Sequence, residues 1–221
     1  MMMKRLALFA APASVSAGVS CLNEFGSPVP WFAGLTDGTG TSNYYYMDSS
    51  SDQFGRSKYS LDQSSSGSLM QTVNQIYRSS DLAFAMYNDE PPPDKTESST
   101  YAHAKGILMS DSSSAVWIVH SKPHWPASDA PSAFPDFTYA QNFMCVTLTP
   151  DQFEQVSKLL QISYPYFYTS NVPDSLDLPE FSALISKTKT DSSSDSYSFG
   201  SFTAFAKSKT WGKDMWEGEP K

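Results

Sequence analysis

Apolar segments alternate with polar loops along most of this chain, and the pattern predicts both strands and helices. Strands are predicted at residues 44–47, 82–87, 101–109, 115–120, 139–148 and 199–206. Helices are predicted at residues 68–78, from Pro150 with Thr149 as the N-cap, and at residues 178–185. Runs rich in Ser and Asp, at residues 49–66 and 188–198, are typical of surface loops. The mixture predicts a domain of the α+β or mixed α/β class.

Two of these strands are expected to form an antiparallel hairpin. The polar run Ser110-Asp-Ser-Ser-Ser114 separates the strand at 101–109 from the strand at 115–120 and reads as a turn. If paired residue numbers sum to 223 or 225, His120 lies directly across from His103 or Lys105 and on the same face. An even sum would turn His120 to the opposite face, and the sequence does not decide between these registers.

The first strand of the hairpin carries the candidate chemistry, His103 and Lys105. On an extended backbone these side chains would project from one face, roughly 6.5 Å apart. An imidazole can attack phosphorus to form a covalent intermediate, and an ammonium can stabilise the charge of the phosphate oxygens. The alternative is an exposed polar strand edge. The three histidines, His103, His120 and His124, fall within 22 residues, which favours a site.

The charge of the chain narrows the classes of function. A net charge of -8 and a pI near 4.7 argue against a general nucleic-acid binder, because phosphate binding normally requires a basic surface. An acidic protein can still cleave nucleic acid at low pH, where carboxylates begin to protonate and histidines gain charge. The basic cluster at residues 207–213, with Lys207 and Lys209, is a candidate for binding a phosphate backbone; a solvated surface is the alternative.

The N-terminus and the cysteines predict an oxidising compartment. Residues 1–20 have a basic start, a short apolar core and small residues near Ala17, which is the layout of a secretory signal peptide. No other stretch approaches the roughly 18 apolar residues that span a bilayer. Cys21 and Cys145 could form one disulfide, with two free thiols as the alternative, and no Cys/His spacing indicates a zinc site.

Several segments in fixed order resemble the deoxyribonuclease II family of acid nucleases. The resemblance rests on Cys21-Leu-Asn-Glu-Phe-Gly-Ser-Pro-Val-Pro-Trp-Phe32, Leu82-Ala-Phe-Ala-Met-Tyr-Asn-Asp-Glu-Pro-Pro92, His103-Ala-Lys-Gly-Ile-Leu108, Trp117-Ile-Val-His-Ser-Lys-Pro123 and Tyr139-Ala-Gln-Asn-Phe-Met-Cys145. It implies a phospholipase D-like fold, with a mixed β-sheet flanked by helices in one domain at 21–221. It also implies a secreted or lysosomal endonuclease that uses a phospho-histidine and no metal or other cofactor.

The resemblance also predicts roles for single residues. His103, Lys105 and His120 are the expected catalytic residues, and Asn88, Gln141, Lys207 and Lys209 are the expected contacts to DNA. For Asn88 a turn-forming role is the alternative. Asp111 follows Lys105 by six residues, whereas the general phospholipase D pattern has its acid after five.

Two functions remain open at this point. Family members carry two His-x-Lys motifs, one in each half of a longer chain, and we expect the motif at His103 to be the one present here. The domain would then be an N-terminal half-enzyme, and a homodimer could complete the active site. The alternative is a truncated or degenerate relative that binds nucleic acid or a protein partner without cleavage.

Overall fold

An antiparallel sheet of eight strands forms the centre of the computed structural model, which describes residues 18–97, 100–134, 138–188 and 190–213. The strands of the described residues are β1 (Cys21–Leu22), β2 (Pro28–Val29), β3 (Trp31–Thr36), β4 (Tyr44–Asp48), β5 (Gly55–Arg56), β6 (Ala83–Asn88), β7 (Lys105–Ser110), β8 (Ala115–His120), β9 (Asn142–Leu148), β10 (Phe167–Asn171), β11 (Ser194–Phe199) and β12 (Phe202–Lys207). The helices are α1 (Gly67–Val73), α2 (Pro150–Ser163) and α3 (Pro179–Ile185), with 3₁₀ turns at Ile76–Arg78 and Lys209–Trp211.

The sheet has the strand order β10-β6-β7-β8-β9-β3-β4-β5, and every pairing within it is antiparallel. The expectation of a mixed sheet is therefore wrong for the described residues. A parallel neighbour needs a crossover connection between adjacent strands. Here α2 instead leads from β9 to β10, which lie at separate positions in the sheet. The α+β class itself is confirmed.

Each face of the sheet buries its own core. On the α1 face, Met86, Ile107, Ile118 and Phe143 pack with α1 and with Trp125. On the α2 face, the alternate residues of the same strands pack against α2, α3 and the β11–β12 hairpin. They include Ala85, Tyr87, Leu108, Ala115 and Leu148. Alternation along β6 to β9 therefore decides which side chains reach which core.

Helix α2 begins where the sequence predicts. The Thr149 hydroxyl accepts the N–H of Gln152 (3.3 Å), and the Gln152 side-chain oxygen accepts the N–H of Thr149 (2.9 Å), with Pro150 at the first helical position. This capping box satisfies two backbone donors that a helix start leaves unpaired. The left-handed Tyr164 (φ 59°) ends the helix.

The prediction of a surface loop at residues 188–198 is wrong in part. Ser194–Phe199 forms β11 and pairs along its whole length with β12. Serine and aspartate have low strand propensity, so this segment gives a weak signal. Gly200 (φ 60°) makes the turn that allows the pairing. The buried Phe199, Ala204 and Ala206 of the hairpin stabilise it against α2.

Cys21 and Cys145 form a disulfide, which confirms one of the two alternatives for these residues. The bond joins β1 to β9, with a sequence separation of 124 residues. The signal-peptide prediction concerns residues 1–20, of which 1–17 lie outside the described residues. No helix in the described part of the chain has the length and apolar character needed to cross a bilayer.

Removal of the disulfide should strongly destabilise the fold. A Cys21→Ala/Cys145→Ala variant is expected to lose about 4 to 5 kcal/mol of unfolding free energy, because the open chain gains entropy mainly in the unfolded state. Urea unfolding of the oxidised protein and of the variant would measure the loss. Reducing agent should lower the stability of the wild type and leave the variant unchanged; equal stabilities of oxidised wild type and variant would contradict the prediction.

Candidate active site

The candidate residues lie where four central strands of the sheet begin or end, and we call this side of the sheet the active-site edge. At this edge β6 ends at Asn88, β7 begins at Lys105, β8 ends at His120 and β9 begins at Asn142. The β7–β8 pairs sum to 225, for example Gly106 with Val119. This is one of the two odd registers that the sequence allows. Continued by one pair, it places His120 opposite Lys105 and not opposite His103.

The N-terminal half of the predicted 101–109 strand has a different conformation. β7 begins only at Lys105, and the N–H of Ala104 donates to the carbonyl of Ala102 (2.8 Å), so His103 occupies the middle of a tight turn. The His103 side chain is 83% exposed, whereas the Lys105 side chain is 4% exposed. The two side chains therefore differ in environment, although both bind the same carboxylate.

That carboxylate belongs to Asp89, which the sequence analysis did not identify as a site residue. Asp89 Oδ2 lies 2.5 Å from His103 Nδ1, and Asp89 Oδ1 accepts a hydrogen bond from Lys105 Nζ (2.6 Å). Burial raises the pKa of the Asp89 carboxyl, but the hydrogen bonds and charges of Lys105 and His103 outweigh burial, so the net pKa is lowered. Asp89 thus remains ionised and links the two residues of the motif.

Glu90 completes the ion-pair cluster. Its Oε2 lies 2.8 Å from Lys105 Nζ, and its side chain is 39% exposed. Asp89, Glu90 and His103 have ligand atoms within 4.8 Å of one another, a spacing that could hold a metal ion. However, the Lys105 ammonium already contacts both carboxylates and supplies the positive charge that a metal ion would bring.

Gly106 lets the side chain of Tyr87 pack closely against β7 near the site. A Cβ added at Gly106 would lie 2.3 Å from the Tyr87 hydroxyl oxygen and 2.5 Å from the Ile118 carbonyl oxygen. The same Tyr87 hydroxyl accepts the indole N–H of Trp117 (3.0 Å). Glycine at position 106 therefore leaves room for the Tyr87 side chain, which reaches from β6 across β7 to Trp117 in β8.

His120 is buried on the α1 face and packs edge-on against Trp125, with ring centroids 5.0 Å apart. Its Nδ1 accepts the backbone N–H of Lys122 (3.2 Å), and among the described residues its Nε2 has no hydrogen-bond partner. Burial, and then the charge of Lys105, lowers the pKa of His120 to about 3, against a smaller opposing effect of the Lys122 N–H. The imidazole is therefore neutral across the physiological range.

His120 should make the fold sensitive to acid. Its folded pKa lies below its unfolded value, so the unfolded state binds the proton first, and stability falls as pH drops below about 6.5. We expect a contribution of about 2 kcal/mol to be lost between pH 7 and pH 5. Urea unfolding at both pH values should show a smaller decrease for His120→Gln than for the wild type. The control His124→Asn, at an exposed histidine, should keep the wild-type decrease, and equal decreases in all three would contradict the assignment.

The expectation of a single His-x-Lys tripeptide is wrong. His120-Ser121-Lys122 has the same spacing, and a search for this pattern alone would have found it. Both of its charged or titratable side chains are buried, and Lys122 Nζ lies 5.6 Å from the centre of the Phe134 ring. The second tripeptide is thus an interior feature next to the first and does not face solvent as His103 does.

Asn88 and Gln141 lie at the same edge and hold its loops. The fully buried Asn88 amide donates to the carbonyls of Lys122 and Trp125 (3.0 Å each), and its oxygen accepts the N–H of Glu90 (2.9 Å). The Gln141 side-chain oxygen accepts the Ser121 hydroxyl (2.5 Å). The contacts of Asn88 agree with the turn-forming role that the sequence analysis gives as its alternative. Direct contact of Asn88 or Gln141 with DNA stays a prediction.

The remaining predicted residues belong to other parts of the fold. Lys207 ends β12, and its Nζ lies 5.8 Å from the centre of the Trp211 ring, while Lys209 is exposed in the following 3₁₀ turn. In the part of the chain that the structure describes, no hydrogen bond or ion pair joins these lysines to His103 or Asp89. Asp111 lies at the opposite edge of the sheet, where its carboxylate accepts the N–H groups of Ser113, Ser114 and Val19. Its role is therefore to hold the β7–β8 turn.

Comparison with known proteins gives a consistent result. The family model described as Deoxyribonuclease II matches residues 20–219. Deoxyribonuclease-2-alpha of Mus musculus is 34% identical over 166 residues, covering 68% of this chain and 47% of the relative. Plancitoxin-1 of Acanthaster planci is 30% identical over 236 residues, covering 95% of this chain and 66% of the relative. Deoxyribonuclease-2-beta of Rattus norvegicus is 32% identical over 171 residues, covering 71% of this chain and 48% of the relative.

The chain spans about half the length of the deoxyribonuclease-2 relatives that it matches. The match of the family model nevertheless extends over nearly all of the sequence and includes each of the site residues described above. This chain therefore belongs to the deoxyribonuclease II family.

Proposed function

We propose that the chain acts in an acid endonuclease that hydrolyses DNA phosphodiester bonds without a metal ion, through a phospho-histidine at His103. The observation that carries the proposal is the His103–Asp89 contact at an exposed sheet edge. Asp89 engages Nδ1, which leaves Nε2 as the nitrogen that attacks. A carboxylate in this position fixes the tautomer and orientation of an imidazole, as in other enzymes that use an acid–histidine pair.

The reaction would proceed in two displacements at phosphorus. In the first, the Nε2 lone pair of His103 forms a P–N bond while the bond from phosphorus to one bridging oxygen breaks, and the departing oxygen takes a proton from a general acid. In the second, water attacks phosphorus, loses a proton to the group that acted as the acid, and the P–N bond breaks. His103 is regenerated, and no external oxidant or co-reactant is required.

Lys105 would stabilise the substrate phosphate by binding it in place of the Glu90 carboxylate. Its ammonium contacts both Asp89 and Glu90, and Glu90 is the more exposed of the two. When a substrate phosphate displaces the Glu90 carboxylate, Lys105 keeps two anionic neighbours, so the buried charge remains compensated. The ammonium then acts on the charge that develops on the phosphate oxygens.

The general acid requires a second imidazole. His120 is buried and neutral, so it is poorly suited to supply a proton to the leaving group. We propose that a second copy of the chain supplies its own His103 in a homodimer. Partly exposed apolar side chains support such an association: Leu35, Tyr45 and Val119 share the α2 face at the active-site edge, where the described helices leave them more than 40% exposed.

The proposed compartment is secreted or lysosomal. The Cys21–Cys145 disulfide fits an oxidising environment outside the cytosol. The negative net charge fits a low working pH, at which repulsion between the protein and DNA is weakened. The names of the deoxyribonuclease relatives support DNA as the substrate.

Plasmid nicking at about pH 5 in excess EDTA tests the proposal. We expect nicking to persist with the chelator, and the active species to have the mass of a dimer in solution. Nicking that requires added Mg²⁺ would contradict the metal-free mechanism, and full activity of a monomer would contradict the homodimer. DNA binding without nicking would instead support the alternative function, a family member that binds nucleic acid and does not cleave it.

A further inference from the structure

Three tyrosines and one lysine form a cluster beside His103 that the mechanism above does not use. The rings of Tyr101 and Tyr164 stack with centroids 5.1 Å apart and planes at 17°, and the Tyr166 ring lies 5.0 Å from Tyr101. Lys187 Nζ lies 4.7 Å from the centre of the Tyr101 ring and donates to the Tyr101 hydroxyl (2.7 Å). We call these four residues the tyrosine cluster.

The backbone ties the tyrosine cluster to the active-site edge at two points. The N–H of Ala102, adjacent to His103, donates to the Tyr164 carbonyl (3.1 Å), and the N–H of Asn88, adjacent to Asp89, donates to the Tyr166 carbonyl (2.9 Å). Ala102 also forms a parallel bridge with Pro165. The residues on either side of the His103–Asp89 contact are therefore hydrogen-bonded to the segment that carries two of the three rings.

Two members of the cluster lie just after the ends of helices. Tyr164 and Lys187 have φ values of 59° and 56°, in the left-handed region, and they follow α2 and α3 respectively. A left-handed residue commonly ends a helix, and these two residues end α2 and α3 in that way. Together the two helix ends direct a ring and an ammonium toward Tyr101.

The cluster also has the charge and exposure that a nucleic acid strand requires. All three rings are only partly buried, and Lys187 is exposed. Among the described residues no carboxylate lies within ion-pair distance of Lys187, whereas Lys105 contacts two carboxylates. In a chain of net charge -8, Lys187 is thus a positive charge near the site that is not neutralised by an acidic partner.

We propose that the tyrosine cluster is a subsite for the nucleotide next to the scissile phosphate, in an unpaired stretch of DNA. A base would extend the stack of tyrosine rings, and the Lys187 ammonium would contact the phosphate of the same nucleotide. Aromatic rings combined with a nearby cation bind single strands in this way, because every base has a face that can stack. The subsite rests on the proposed nuclease function for its biological meaning, but its binding can be measured without cleavage.

The test compares two labelled strands of equal length and charge by fluorescence anisotropy at pH 5 in EDTA. One strand is oligothymidylate, and the other has abasic residues in place of thymidines. The full chain carries His103→Ala to prevent turnover. We expect it to bind oligothymidylate about tenfold more tightly than the abasic strand. Tyr101→Leu should remove most of this preference and Tyr101→Phe should keep it, because the ring and not the hydroxyl stacks.

Lys187→Gln should act on both strands alike. It should weaken each by a few-fold and reduce the magnitude of the salt dependence, log Kd against log salt, by about 0.7, as expected for the loss of one phosphate contact. Lys187→Arg should retain both the affinity for each strand and the salt dependence. Tyr139→Leu and Lys158→Gln, at an exposed tyrosine and an exposed lysine outside the cluster, are the matched controls and should change neither quantity.

The outcomes separate the subsite from the proposed function. A base preference that survives Tyr101→Leu, or that is absent before any substitution at Tyr101, would overturn the subsite. Thermal unfolding of each variant identifies one that fails to fold; if Tyr101→Leu does so, Tyr166→Leu takes its place and should likewise remove most of the base preference. A base preference in a wild-type protein that does not nick plasmid would retain the subsite and reject the nuclease function; nicking without a base preference would do the reverse.

Discussion

Replacing His103 by alanine is expected to abolish DNA cleavage, with a loss of at least about a thousandfold in kcat/KM. The reason is that the variant lacks the atom that we propose forms the bond to phosphorus, and the loss of a covalent nucleophile is seldom compensated by the rest of a site. The side chain is 83% exposed, so the free energy of unfolding should change by less than about 1 kcal/mol. Plasmid nicking at pH 5 measures the activity, and urea unfolding measures the stability.

A stereochemical experiment distinguishes the covalent mechanism from direct attack by water. Two in-line displacements at phosphorus give net retention of configuration, and a single displacement gives inversion. Cleavage of a phosphorothioate linkage of known configuration in isotopically labelled water should therefore proceed with retention. His124→Ala, at another exposed histidine, is the matched control for the alanine variant. Inversion, or His103→Ala activity within tenfold of the wild type, would exclude His103 as the nucleophile.

Replacing Asp89 by asparagine is expected to lower kcat about a hundredfold or more, with a much smaller effect on KM. The amide has nearly the same shape but no charge, so it no longer favours the His103 tautomer that leaves Nε2 free to attack. It also removes one of the two carboxylates that compensate the buried Lys105 ammonium. Steady-state kinetics on a short oligonucleotide would separate kcat from KM.

Glu90→Gln is the matched control for this variant. It removes a carboxylate of the same cluster, but among the described residues Glu90 forms an ion pair with Lys105 and no hydrogen bond or ion pair with His103. We therefore expect a clearly smaller decrease in kcat than for Asp89→Asn. Thermal unfolding would show whether each variant is folded at the assay temperature. If the two variants lost equal activity while both remained folded, orientation of His103 by Asp89 would not be the relevant effect.

The sequence predicts the strands near the site well because their patterns are local. The β7–β8 hairpin follows from two apolar runs around a polar turn, and even its register was restricted to a few values. The sequence does not predict that the motif divides into an exposed His103 and a buried Lys105. That division depends on the turn before β7 and on the layer that covers the α1 face, which are tertiary features.

The residues that the sequence analysis missed are those whose partners are distant. Asn88-Asp-Glu-Pro reads as a turn, and nothing local indicates that Asp89 will meet residues 14 and 16 positions later. The tyrosine cluster joins positions 101, 164, 166 and 187, which only the fold brings together. Conversely, the basic residues Lys207 and Lys209 stand out in the sequence, but Lys207 ends a hairpin that packs against α2 and Lys209 lies in the 3₁₀ turn that follows it.

The strand order has a consequence for the synthesis of this protein. β3 pairs with β9, and Cys21 in β1 bonds to Cys145 in β9, so the N-terminal strands have no permanent neighbour in the centre of the sheet until about residue 148 has been made. Contacts this distant along the chain slow folding and expose apolar strands in the meantime. A ribosome-bound chain that stops before β9 should therefore bind chaperones strongly, and in the full chain formation of the Cys21–Cys145 disulfide should mark the joining of the N-terminal strands to β9.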